Sequence, residues 1–158
     1  MKTIVLMRHA KSEPSAFLKS DFERKIIERG ISDVKKISTY FLSKYEMPQL
    51  VLSSSAMRTK QTIQLFLETT DIKRIPEYIE GLYHAQASKM LDIINEKIVG
   101  YDSAMIVGHN FGISQLANIL SSSGAEEMST SSICILEFKD RIMPYEGKLI
   151  EYIKPKLI

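Results

Sequence analysis

The sequence predicts an α/β fold, a three-layer sandwich with a mostly parallel central sheet, helices on both faces and an antiparallel hairpin near the carboxyl end. Three observations carry this expectation. Short β-branched runs alternate with segments of 3.6-residue apolar periodicity, the pattern of strands joined by right-handed helical crossovers. The last two strand-like runs have no helix between them. Two of the apolar runs are followed directly by a tripeptide centred on a histidine, Arg8-His9-Ala10 and Gly108-His109-Asn110.

Taken in order, strand-like runs span Thr3 to Met7, Gln49 to Ser53, Lys73 to Ile75, Ala104 to Val107, Ile133 to Phe138 and Lys148 to Ile153. Between them, Ile27, Ile31, Val34, Phe41 and Tyr45 trace one helical face, and Thr59, Ile63 and Phe66 a second. Met90, Ile93, Ile94 and Ile98 trace a third, and Ile113, Leu116, Ala117 and Leu120 a fourth. Asp140, Pro144 and Gly147 punctuate the interval before the last run, which therefore reads as the return strand of a hairpin at a sheet edge. Ser121 to Gly124 and Ser129 to Ser132 read as loops around the end of a helix.

A chain of 158 residues with 44% hydrophobic and 25% charged residues suits one packed domain over residues 1–158, with no repeat or linker. Its net charge of +2 is too small to imply nucleic acid or an anionic membrane as a partner. Cys134, the single cysteine, excludes an intrachain disulfide and lies in an apolar run, which marks it as a buried strand residue rather than a nucleophile. The apolar run Ile4 to Met7 is shorter than the roughly 7 to 15 residues of a secretory signal core, and no segment approaches the roughly 18 apolar residues of a membrane span. A cytoplasmic location is expected.

Polar residues fit for phosphate chemistry collect at four places: Arg8-His9, the Ser53 to Thr62 segment with Arg58, His109-Asn110, and the Asp21 to Arg24 loop. Arg58 falls in the first turn of a helix, and His109 and Asn110 precede another that begins near Gly112. At both helix starts, backbone N–H groups and the helix dipole favour an anion. An imidazole at the carboxyl edge of a parallel sheet projects into the crevice where open α/β folds bind ligands. Each piece also has a structural reading: a solvated arginine, a core histidine, serines that cap a helix. Their occurrence at the ends of separate strands points instead to a shared site.

Together the pieces Leu6 to Glu13, Asp21 to Arg24 with Glu28-Arg29-Gly30, Ser53 to Thr62, Leu82-Tyr83 and Val107 to Asn110 with Gly112 resemble the histidine phosphatase superfamily, also called phosphoglycerate mutase-like. Within it they are most similar to the small phosphohistidine phosphatases of the SixA branch. The resemblance implies a metal-independent phosphatase, without cofactor, in which His9 accepts the phosphoryl group while Arg8, Arg58 and His109 hold its oxygens. The residue types suit that chemistry. Neutral imidazole is nucleophilic at cellular pH, and forked guanidiniums match phosphate oxygens. By the same resemblance, Arg24 is a candidate third cation with Asp21 orienting it or handling a proton. The alternative for that pair is an exposed ion pair worth under about 1 kcal/mol. The serines of the Ser53 to Ser55 turn, Ser53 first among them, and Asn110 are candidate neutral hydrogen-bonding groups, although shaping the turn and capping the next helix is the favoured role.

Two departures from the branch stand out. Arg24 is followed by Lys25-Ile26-Ile27 where Pro-Leu-Thr is common, so a rigidifying proline and a threonine cap are lost. Phe111 replaces a common proline and sets an aromatic ring near the mouth. Family members that cleave esters carry an acid on an insert after the third strand, whereas this chain has only Pro76 to His84 there, with Glu77, Glu80, His84 and Asp21 as candidates. A leaving imidazole needs a proton less than a leaving alkoxide, so the expected partner is a protein carrying phosphohistidine. The alternatives are a phosphatase for small phosphorylated molecules and a non-catalytic module that recognises phosphate. Mutase activity is disfavoured by the lack of a long enclosing insert.

Overall fold

The structure, a computed structural model, describes residues 1–16 and 18–158. Six strands form one sheet: β1 (Lys2–Arg8), β2 (Leu50–Ser54), β3 (Glu77–Ile79), β4 (Ser103–Gly108), β5 (Ile133–Phe138) and β6 (Lys148–Ile153), in the spatial order β3-β2-β4-β1-β5-β6. Strands β1 to β4 run parallel to one another, while β5 lies antiparallel to β1 and pairs with β6 as an antiparallel hairpin. The expected fold class is therefore the observed one.

Helices α1 (Glu28–Lys44) and α2 (Met57–Thr70) cover one face of the sheet, and α3 (Ala87–Lys97) and α4 (Gly112–Leu120) cover the other. Strand alternation divides the core between these faces. Val5, Met7, Met105, Val107, Ile133 and Ile135 pack with Val34, Ile37 and Phe41 of α1 and Ile63 and Phe66 of α2. Ile4, Leu6, Ala104, Ile106, Cys134 and Leu136 pack with Met90, Ile94, Leu116 and Leu120 on the other side. Both faces of β1 and β4 are buried, which explains why their sequences are continuously apolar rather than alternating. Cys134 is buried, and burial pushes its thiol up to about 12, consistent with a packing residue.

One strand sits elsewhere than expected. Residues 73–75 have no regular structure and Ile75 is fully exposed, whereas β3 begins beyond Pro76. Proline has no N–H to give to a ladder, so pairing with β2 starts one residue later, at Leu52↔Glu77. Among the described residues no helix is long and apolar enough to cross a membrane.

Candidate active site

The register of the two central strands builds the site. Arg8 is the Cα partner of Gly108, so the next residues of each chain segment, His9 and His109, leave the carboxyl edge side by side. The His9 N–H donates to the Gly108 carbonyl at 3.1 Å, and the two rings stand 5.3 Å apart. A third segment enters at the end of β2, where Ser54 leads through Ala56 into α2 and places Arg58 in its first turn.

Hydrogen bonds define the proton positions on His9. Its Nδ1 lies 2.8 Å from the Ala10 carbonyl, which can only accept, so Nδ1 carries the proton and Nε2 presents a lone pair. Arg58 Nε–H donates to that Nε2 at 3.3 Å. Burial, with the charges of Arg58, Arg8 and Arg24 adding to it, pulls the His9 pKa down to about 3 despite the Ala10 carbonyl, so the ring is neutral. His109 is likewise driven well below the usual imidazole range, first by burial and then by His9, Arg58 and His84. Its Nε2 is 2.8 Å from Ser54 Oγ, while its Nδ1 is buried without a hydrogen-bond partner among the described residues, as is Arg8 Nε. Arg8 is otherwise anchored by an NH1 donation to the Met128 carbonyl at 3.0 Å.

Arg58 is only 1% exposed, and Asp21 makes its burial tolerable. The guanidinium donates to the Asp21 backbone carbonyl at 2.7 Å and to its carboxylate at 3.0 Å. The same carboxylate receives Arg24 at 2.7 and 3.0 Å, the Tyr83 hydroxyl at 2.5 Å and His84 Nε2 at 2.9 Å. Burial opposes the charge on Asp21, yet donations from Tyr83, His84, Arg24 and Arg58 outweigh it and hold the carboxyl well below the usual carboxylate range.

Arg8, His9, Arg24, Arg58, His109 and Asn110 line a pocket of about 360 Å³ that also takes in Lys11 and His84. A larger cavity of about 560 Å³ opens at the other edge of the sheet, by Thr3, Gln49 and Ser103, and holds none of these groups.

Arg24 is in the pocket wall, but its guanidinium is engaged on both sides, by Asp21 and by Ser12 Oγ and the Glu13 carbonyl, so it staples the loop rather than standing as a free third cation. Asn110 also lines the pocket, with its amide donating to Glu127 and the Met128 carbonyl and accepting from Ser114. Ser53 is not at the site. It is fully buried beside β3, its hydroxyl donating to the Ser54 carbonyl. Alternation along β2 puts Ser53 on the Val51 face and Ser54 on the Leu52 face, the side covered by α4, into which His109 leads. Ser54 was therefore the serine to single out. Glu77 lies in β3, bound to Lys97 at 2.6 Å, and Glu80 is not among the pocket-lining residues. Thr62, buried in α2, accepts the Ala10 N–H at 2.9 Å and so braces the turn after His9.

The Lys25-Ile26-Ile27 departure is compensated through the backbone. Ile27 caps α1 without a side-chain bond, but its N–H reaches the Lys11 carbonyl at 3.0 Å and Ile26 N–H reaches Gln61 at 2.9 Å. Gly30 permits this approach, since a Cβ there would stand 2.4 Å from the Lys11 oxygen. Phe111 is 67% exposed and is not itself among the residues lining the pocket.

An α/β sandwich with two neutral histidines and two arginines converging at its strand ends defines a protein built to hold a phosphoryl-sized anion. No family model matches the chain. A curated relative, an uncharacterized protein of Mycobacterium tuberculosis, is 31% identical over 141 residues, covering 82% of this chain and 85% of that protein. An uncharacterized chloroplastic protein of Arabidopsis thaliana is 26% identical over 145 residues, with the match covering 86% of this chain and 66% of the plant protein. Among solved structures, one described as a phosphohistidine phosphatase SixA from Agrobacterium tumefaciens has a TM-score of 0.83 at 27% identity, covering 98% of this chain and 99% of that one. A protein histidine phosphatase SixA solved with tungstate has a TM-score of 0.84 at 17% identity, covering 98% and 97%. The chain belongs to the histidine phosphatase superfamily.

Proposed function

We propose that the protein is a phosphatase working through a phosphohistidine on His9, with phosphohistidine on another protein as its favoured substrate. The observation that carries the proposal is His9 itself: a buried, neutral imidazole whose unprotonated Nε2 accepts from a buried guanidinium at 3.3 Å. In the first step Nε2 attacks phosphorus, the bond to the leaving group breaks, and Arg8, Arg58 and His109 hold the three equatorial oxygens. Because the ring is already neutral, no separate base is needed. In the second step water attacks phospho-His9, the P–N bond breaks with its electron pair returning to Nε2, and inorganic phosphate leaves. Positioning and charge stabilisation carry most of the catalysis in such transfers, and the preset donors supply both.

Three things favour a protein-borne phosphoramidate. Only residues 80–86 separate β3 from α3, the carboxylates near the pocket are ionised or engaged elsewhere, and two structural neighbours are described as SixA proteins, one as a phosphohistidine phosphatase and one as a protein histidine phosphatase. The test is phosphate release from a phosphohistidine protein set against a panel of small esters, with His9→Ala as control and 31P NMR for an acid-labile phosphoryl group on the enzyme. Release that persists in His9→Ala refutes the mechanism. A sharp preference for one small ester refutes the substrate.

A further inference from the structure

Every histidine of this chain stands in the pocket, yet the chemistry above uses only two of the three. We propose that His84 is a catalytic proton donor, held by Asp21, which extends the substrate range of the site from phosphoramidates to phosphate monoesters with poor leaving groups. The proposal rests on the phospho-His9 reading.

Geometry assigns the proton. His84 Nε2 lies 2.9 Å from Asp21 Oδ2, and that carboxylate also faces Arg24, Arg58 and Tyr83. An oxygen in that company only accepts, so Nε2 must carry a hydrogen. Nδ1, which has no hydrogen-bond partner among the described residues, is then the nitrogen that exchanges protons with the pocket. A carboxylate fixing one imidazole nitrogen while the other handles protons is an arrangement that also stabilises the imidazolium when it forms. The ring is braced on both sides, 4.2 Å from Tyr83 and 5.1 Å from His109, but its side chain is 50% exposed, as access to a leaving group on a bulky substrate requires.

The backbone is shaped to place it. His84 has φ of +52°, a left-handed conformation that non-glycine residues rarely adopt. The next residue, Ala85, rests on Gly112 at the start of α4, where a Cβ would come within 2.0 Å of the Ala85 oxygen. That seat brings His84 to within ring contact of His109. The carboxylates, Tyr83 and His109 near the pocket are committed. Asp21 is ionised, Tyr83 donates to Asp21, Glu13 is bound to Lys19 at 2.8 Å, and His109 is buried neutral with Nε2 on Ser54.

The proton balance closes over the cycle. As His9 Nε2 attacks, the P–O bond to the leaving group breaks and the departing oxygen takes the proton from His84 Nδ1. When water attacks phospho-His9, its proton passes to His84 Nδ1, which restores the donor as inorganic phosphate departs.

The experiment measures kcat/KM for wild type and His84→Gln on a series running from dinitrophenyl phosphate through phenyl phosphate to an alkyl phosphate, together with a phosphohistidine protein. The expected result is a loss on the order of a hundredfold or more on the alkyl ester. Dinitrophenyl phosphate and the phosphoramidate, whose leaving groups depart without help, lose little. Added imidazole should restore alkyl phosphate turnover in His84→Ala, which a purely structural role does not allow. Equal losses along the whole series, or no rescue by imidazole, overturn the proposal. Absence of a phosphoryl group on His9 in wild type overturns the underlying mechanism instead, so the two failures are distinct.

Discussion

Transferring the protein from pH 7 to pH 5 tests whether His9 and His109 are held neutral by the fold. In the unfolded chain an imidazole titrates near 6.5 and is almost fully protonated at pH 5. In the folded chain burial and the neighbouring arginines hold His9 at about 3, and His109 is also strongly depressed, so both stay neutral at pH 5. The unfolded state therefore binds more protons, and stability falls as pH falls. At about 1.4 kcal/mol per pH unit below 6.5, each imidazole removes about 2 kcal/mol at pH 5, or about 4 kcal/mol together. Against a typical total of about 5–15 kcal/mol that is a large share. Asp21 adds nothing in this window. Its depressed carboxyl contributes stability that is fully present above the ordinary carboxylate range and is lost only below it. Urea unfolding of wild type and His9→Asn at pH 7, 6 and 5 reads the effect, the asparagine retaining a donor for the Ala10 carbonyl. Wild type should lose about 4 kcal/mol between the extremes and the variant about half of that. A flat wild-type profile, or equal slopes in the two proteins, refutes the neutral-histidine site.

Replacing Arg58 by lysine keeps the charge but loses the fork that serves His9 Nε2, the Asp21 carbonyl and the Asp21 carboxylate together, so kcat/KM should fall on the order of a hundredfold or more; near-wild-type turnover contradicts its role. Gly112→Ala drives a methyl against the Ala85 oxygen and should cost about 1–3 kcal/mol, seen as a Tm lower by several degrees, with a larger loss on alkyl than on dinitrophenyl phosphate as His84 is displaced. Phe66→Ala removes a fully buried ring that meets Phe41 edge-on at 5.9 Å and should cost about 3–5 kcal/mol in urea while leaving kcat of the folded fraction unchanged.

Local chemistry made much of this molecule readable before folding. Apolar runs flanked by helical periodicity marked the parallel strands, and the lack of periodicity between Phe138 and Lys148 marked the hairpin. A histidine one residue beyond a short apolar run is placed at a strand end by the run itself, which is why His9 and His109 were identifiable. Where two local readings compete, pattern alone does not choose. Residues 73–75 and 77–79 both resemble strands, and pairing with β2 beyond Pro76 selected the second. Ser53 and Ser54 are chemically identical neighbours that the pleat sends to opposite faces.

The sequence by itself determined the element types, the class of fold, the nucleophile candidate and the cations near it, because these follow from periodicity and residue chemistry within a few positions. Only the tertiary structure decided that Asp21 is the common anchor of Arg58, Arg24, Tyr83 and His84, that Arg24 is tied into its loop, and that His84 rather than Glu77 or Glu80 reaches the pocket. Those contacts join residues up to 63 positions apart. Distances across a packed interior depend on the whole set of strand registers and helix seats at once, and no short stretch of chain contains them.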